Sequence, residues 1–141
     1  MNVSRAATLL GSAGLIPFWA FALAAHMRPN IDLAYKAIEA EIIWGAVILS
    51  FMAGARWAMI LKSDGSTLRL SGFALMSLPA LVAPFFAHKL ALGLLALSFF
   101  VLLVAELSNV ARAESSAWYL SLRIALSVGA VGALAFAALA I

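Results

Sequence analysis

Five apolar runs, separated by short polar breaks, account for almost the whole chain. They cover roughly residues 6–27, 37–61, 68–87, 90–107 and 120–140. Each is long enough to cross a hydrocarbon core as a helix, which takes about 20 residues. The pattern predicts an all-α fold: a single transmembrane domain of residues 1–141 built as a bundle of five spanning helices. No stretch is left over for a soluble domain.

The polar breaks refine this picture. In the first run Ala22-Leu23-Ala24 mimics the small-residue cleavage site of a signal peptide. The run is long, holds Pro17 and Trp19 and precedes four more, so it reads as a retained span. The link from Arg28 to Lys36 contains Pro29-Asn30, and Asp32 is the expected N-cap of the second helix. That helix, from about Tyr35 to Leu61, extends about 40 Å and must tilt to fit. Glu39 and Glu41 fall in its expected first turns, where carboxylates suit the helix dipole; a cation or proton entry site is the sharper alternative. Ser63-Asp64-Gly65-Ser66 reads as a tight turn. Pro79 and Pro84 each remove a backbone donor, so the third span is expected to be kinked or irregularly wound in its second half. His88-Lys89 leaves almost no loop before the fourth span.

Composition agrees with the pattern. The 141 residues are 66% hydrophobic and 11% charged with mean hydropathy +1.10, against about 45–50% apolar and about 25% charged in soluble domains. A net charge of +3 would suit nucleic acid, but the basic residues stand singly at the ends of apolar runs, where topology signals belong. The absence of cysteine excludes disulfides, thiolate metal sites and cysteine nucleophiles.

One charge stands inside a span. Arg56 lies within Ile42–Lys62, six residues before the basic end. An arginine within a spanning helix costs roughly 2.5–3.5 kcal/mol on insertion scales, so it needs a partner or water. If the second and fourth helices run in the same direction, Glu106 reaches the same membrane face, with Asn109 three residues on. The ordinary reading of Arg56, Glu106, Asn109 and Arg123 is a structural intramembrane charge cluster. The sharper reading is an anion-binding or proton-handling site, because two arginines against one carboxylate leave excess positive charge. Asp64, in the adjoining turn, is the competing partner for Arg56.

Other features have bland explanations. Trp57, Trp118 and Tyr119 are expected at the membrane interface. Ala46, Ser50 and Gly54, and Ala125, Gly129, Ala133 and Ala137, repeat small residues every four positions, which lets helices approach closely; the fifth helix is the expected partner face. His26 and His88 sit at the outer ends of the first and third spans, and no carboxylate–histidine spacing supports a metal or haem role. Pro17/His26 echoes Pro79/His88, and Gly45-x-x-x-Leu49-Ser50-Phe51 echoes Gly93-x-x-x-Leu97-Ser98-Phe99. The echo allows two parallel helical hairpins plus a fifth helix. No nucleotide loop, zinc-protease helix or nucleophile elbow is present, so no metal or other cofactor is expected.

Three stretches resemble one family: Gly14-Leu15-Ile16-Pro17-Phe18; Gly45 to Phe51 continuing to Arg56-Trp57; and Trp118-Tyr119 with Leu122-Arg123. Together they resemble the domain of unknown function 3429 family, the transmembrane protein 69-like proteins. This chain has Met52-Ala53-Gly54 where the family pattern has Leu-Gly-Gly, and Glu106 where an aspartate is common. The resemblance implies a small multispanning protein of bacterial or mitochondrial inner membranes and no established activity.

The sequence therefore reads as an inner-membrane accessory or assembly subunit that binds other membrane proteins, with no enzymatic activity favoured. A homo-oligomeric transporter of a small solute or ion is the alternative, and a lipid or quinone enzyme comes third. Basic residues set the orientation: Arg5, Arg56, Lys62, Arg69, Arg112 and Arg123 on one side against Arg28, Lys36 and Lys89 on the other. The N-terminus is expected in the cytoplasm, or the matrix of a mitochondrion, and the C-terminus outside. Reporters fused at each end test this. A reporter active only in the cytoplasm should be silent at the C-terminus.

Overall fold

A computed structural model describes residues 2–27 and 30–141; Arg28 and Pro29, which entered the link and the charge count above, lie outside them. The described residues are helical, with no strand. Helix α1 is Val3–Ala25 and α2 is Ile31–Lys62. The third span is divided into α3 (Thr67–Leu75), α4 (Ser77–Val82) and a 3₁₀ turn, Ala83–Phe85. Helix α5 is His88–Glu106, α6 is a short helix at Asn109–Ala113 and α7 is Ala117–Ala138. Five of these segments are long and apolar enough to cross a membrane.

The helix starts follow local capping chemistry. Side chains of Asn2, Asn30, Ser66 and Ser108 accept from the backbone N–H groups of Arg5, Leu33, Arg69 and Ala111. Asn30, not Asp32, therefore caps α2. The helix begins four residues before Tyr35, which moves Asp32 into the first turn, where its charge still meets the positive helix end. The same shift carries Glu39 and Glu41 into the third turn. Helix α2 closes in a Schellman arrangement: Gly65 N–H donates to the Ile60 carbonyl at 2.9 Å and Asp64 N–H to Leu61 at 3.3 Å. Asp64 takes the left-handed position, φ 53°.

The third span breaks where its prolines dictate. Pro79 has no N–H for the Leu75 carbonyl, and the helix is interrupted at Met76. Pro84 likewise leaves the Ala80 carbonyl without its helical donor, and the segment finishes as 3₁₀. Ser77 Oγ donates to the Ala74 carbonyl at 2.7 Å beside the break.

Helix α2 is the hub, packing on α1, α3, α4, α5 and α7, and α7 sits between α1 and α5. The face of α7 bearing Ser127, Ala130, Ala133, Leu134 and Ala137 is buried, so of the expected small-residue stripe Ala133 and Ala137 serve packing inside the chain, while Gly129 is half-buried and Ala125 stays exposed. Gly45 sits where four helices meet. A Cβ there would lie 3.1 Å from Leu95, 3.6 Å from Phe18 and 3.7 Å from Leu134, on three other helices. Phe18 meets Phe99 edge to face at 6.0 Å, and Trp44 Nε1 donates to the Gly14 carbonyl across the α1–α2 seam. Ala46 packs against this core, but Ser50 and Gly54 point outward, and a Cβ at Gly54 meets nothing within 4 Å. The exterior carries Leu10, Ile16, Ile43, Val47, Phe51, Leu97 and Phe100, the large apolar side chains a bilayer requires.

Gly129 and Gly54 make a direct comparison. A Cβ at Gly129 would sit 2.8 Å from Leu15 Cδ1. Gly129→Val should therefore destabilise by about 1–3 kcal/mol through overpacking, while Gly54→Val should stay within about 0.5 kcal/mol. Unfolding in mixed detergent micelles reads both.

Candidate functional site: a buried charge cluster

The buried stripe of α2 recurs at three- and four-residue intervals: Glu41, Gly45, Leu49, Met52, Arg56 and Ile60. It carries Arg56 into the bundle about 9 Å from the helix end. Glu106 is the last residue of α5, and Arg123 lies in the second turn of α7. Packing brings all three together out of contact with solvent, at 0%, 0% and 4% exposure.

Glu106 is the centre. Arg123 Nε donates to its two carboxylate oxygens at 3.0 and 3.1 Å, and Nη2 reaches Oε1 at 2.6 Å. This forked contact is the geometry a guanidinium offers a carboxylate. Arg56 Nε is 3.5 Å from the same Oε1, an ion pair without a hydrogen bond. Both arginines also hold backbone carbonyls: Arg123 Nη2 donates to Met52 O at 2.6 Å and Arg56 Nη1 to Ala111 O at 3.3 Å. Ala111 is in the last turn of α6, where a cation complements the helix end. The Tyr119 ring faces both cations, its centroid 5.8 Å from Arg56 Cζ and 5.4 Å from Arg123 Cζ, within cation–π range.

The cluster joins α2, α5, α6 and α7 and keeps one positive charge in excess. Arg56 Nε and Nη2 and Tyr119 Oη are buried without a hydrogen-bond partner among the described residues. Asn109 begins α6 beside the cluster, and its side chain lies outside what is described. Asp64 stays exposed in its turn, and Arg56 turns to Glu106 instead. Tyr119 belongs to the cluster, whereas Trp57 and Trp118 remain exposed on the outside of the bundle.

Outside the cluster, Glu114 ties the α2–α3 turn to the α6–α7 link. It accepts from Arg69 Nη2 at 2.6 Å and Ser63 Oγ at 2.5 Å. The Arg69 hydrogen bond above all, helped by Ser63, holds the Glu114 carboxyl below the usual carboxylate range against the opposing effect of its partial burial.

The opposite end of the bundle is built differently. Glu41 is completely buried with both carboxylate oxygens unpartnered among the described residues, whereas Glu39 is exposed and lies 3.7 Å from His88. His26 instead bonds the Ala22 carbonyl and stacks on Phe136 at 4.1 Å. The two histidines thus have unrelated surroundings. Among the described residues no group of three His, Asp or Glu gathers as a metal site would need.

A cavity of about 420 Å³ opens between α1, α2 and α7. Leu10 and Phe51 stand at its rim, and Arg123, Tyr119 and Trp118 are the side chains on its wall that carry polar atoms. Sequence reasoning had paired Arg56 with Glu106 but missed that Arg123 makes the closer contact, and it missed the burial of Glu41. The four-residue step from Glu41 to Gly45 on the Arg56 stripe was the available signal for the second.

Five helices long and apolar enough to span, three of them joined by a buried Arg–Glu–Arg cluster, define a polytopic α-helical membrane protein. More particularly, the chain belongs to the family described as protein of unknown function (DUF3429), which matches residues 3–139. No curated protein and no solved structure was found to match it.

Removing Glu106 strands two buried cations. Glu106→Ala should cost about 3–5 kcal/mol, far more than Asp64→Ala. Adding Arg56→Met should recover only part, because Arg123 stays unpaired. Thermal unfolding in detergent checks the order.

Glu114 gives a pH dependence. Folding lowers its pKa, so its contribution is complete above the ordinary carboxylate value of about 4.3 and disappears as pH falls through the lower folded-state value. Wild type should melt above Glu114→Gln at neutral pH, and the gap should close on acidification below about pH 4.

Proposed function

We propose that this protein is an accessory or assembly subunit that works by binding other membrane proteins within the bilayer. One observation carries the reading: apolar packing separates the charge cluster from the far side of the bundle. Between Arg56 and Glu41, Leu49, Met52, Leu95, Phe99 and Leu102 are each at most 2% exposed, and the polar side chains buried at that depth among the described residues are the hydroxyls of Ser98 and Ser127. A conduit needs a continuous line of polar groups or water, which two separate hydroxyls do not supply; a scaffold needs none. The outward-facing Ser50 and Gly54 on the hub helix suit close approach by a neighbouring helix. The basic imbalance supports an N-inside, C-outside orientation in the bacterial cytoplasmic membrane, or in the mitochondrial inner membrane of a eukaryote.

Transport by a homo-oligomer is the second reading, and Glu41 favours it: a buried carboxylate without a partner is the usual mark of an ion or proton path. A photo-crosslinker at Gly54, with Gly129 as interior control, separates the two in native membranes. Stoichiometric capture of a different polypeptide at Gly54 is expected. Capture of a second copy, with proton flux in proteoliposomes abolished by Glu41→Gln, would replace the accessory reading with transport. Labelling of lipid alone would defeat both.

A further inference from the structure

We propose that the cavity between α1, α2 and α7 is a binding site for one long-chain amphiphile with an oxyanion headgroup, its headgroup held at Arg123 and Tyr119 and its alkyl chain lying along α1. The site is independent of whether the protein is an accessory subunit.

The shape points to a chain. On α1 the lining runs from Ala7 through Gly11 and Gly14 to Phe18, about 16 Å at 1.5 Å per residue. Opposite stand Ile48 and Met52 of α2 and Leu122 and Leu126 of α7. The volume, about 420 Å³, falls within the range of about 300–1,000 Å³ typical of small-molecule sites. The two α1 glycines keep the slot open: a Cβ at Gly14 meets nothing within 4 Å, while one at Gly11 would touch Leu126 at 3.2 Å.

The charge sets the headgroup. Arg123 lines the wall while 96% buried, and the cluster behind it carries one positive charge more than Glu106 neutralises. Tyr119, on the same wall, has a buried hydroxyl with no hydrogen-bond partner among the described residues. A donor and an excess cation on one apolar wall favour a carboxylate or phosphate over a neutral headgroup of equal chain length. The deep end, at Phe18 and Ile48, is wholly apolar and suits the chain.

Trp118 lines the cavity and reports occupancy. The intact protein, in phosphatidylcholine nanodiscs, is titrated with a brominated long-chain fatty acid, the brominated alcohol of equal length, and brominated phosphatidic acid. The Trp118 signal is isolated by difference from Trp118→Phe. Saturable quenching by the fatty acid, with the alcohol weaker by about tenfold or more, the scale of a charge-assisted hydrogen bond, is expected. Saturation by the fatty acid alone identifies a free carboxylate as the natural headgroup, and saturation by phosphatidic acid a lipid phosphate; either supports the site. Gly14→Leu fills the slot without touching the cluster and should abolish saturation, with Ala55→Leu as a second block. Equal quenching by the alcohol, or saturation unchanged in variants that melt like wild type, overturns the proposal.

Discussion

The Glu106 carboxylate holds the bundle to one arrangement. Apolar helices in lipid gain little by burying apolar surface against one another, so small-residue packing and polar contacts must select the fold. Glu106 takes the forked contact from Arg123 on α7 and the ion pair from Arg56 on α2. The carbonyls of Met52 and Ala111 absorb further donors and tie the short α6 into the same knot. A sliding shift of α5, α7 or α2 by one turn would leave a full charge in hydrocarbon. Specificity here comes from the penalty of the alternatives rather than from the net strength of the pair.

The rest of the architecture accommodates that constraint. The stripe that delivers Arg56 also presents Gly45 to Phe18, Leu95 and Leu134, so the meeting point of four helices and the charge cluster lie on one face of α2. Helix α7 carries Arg123 and must run between α1 and α5, which is why Ser127, Ala130, Ala133 and Ala137 are used internally. The broken third span, packed mainly against α2, stands apart from the cluster.

Much of this was legible in the residues. Long apolar runs with terminal basic residues can hardly be anything but spans, and Pro79 and Pro84 announced the irregular third segment. Arg56 could be matched to Glu106 because acids are scarce and few reach the right depth. Helix faces were much harder to read. A membrane helix is apolar toward lipid and core alike, so hydropathy does not tell Ser50 and Gly54, which face outward, from Gly129, which packs under Leu15. The same ambiguity hid Glu41, which looked interfacial until the helix was seen to begin at Ile31. The closer grip of Arg123 on Glu106 depends on the path of the polar segment between α5 and α7, which periodicity does not encode.

The order of these charges along the chain has a consequence for biosynthesis. Arg56 leaves the ribosome two whole spans before Glu106, and Arg123 later still. The second span must therefore enter the membrane with its guanidinium unneutralised, reaching about 9 Å along its own helix toward the headgroups. It can turn inward only when the fourth span arrives, and the cluster closes only when the fifth has inserted. A nascent chain arrested before Glu106 would hold its hub helix in a shallower, waiting position, so the last two spans complete the fold that the second one began.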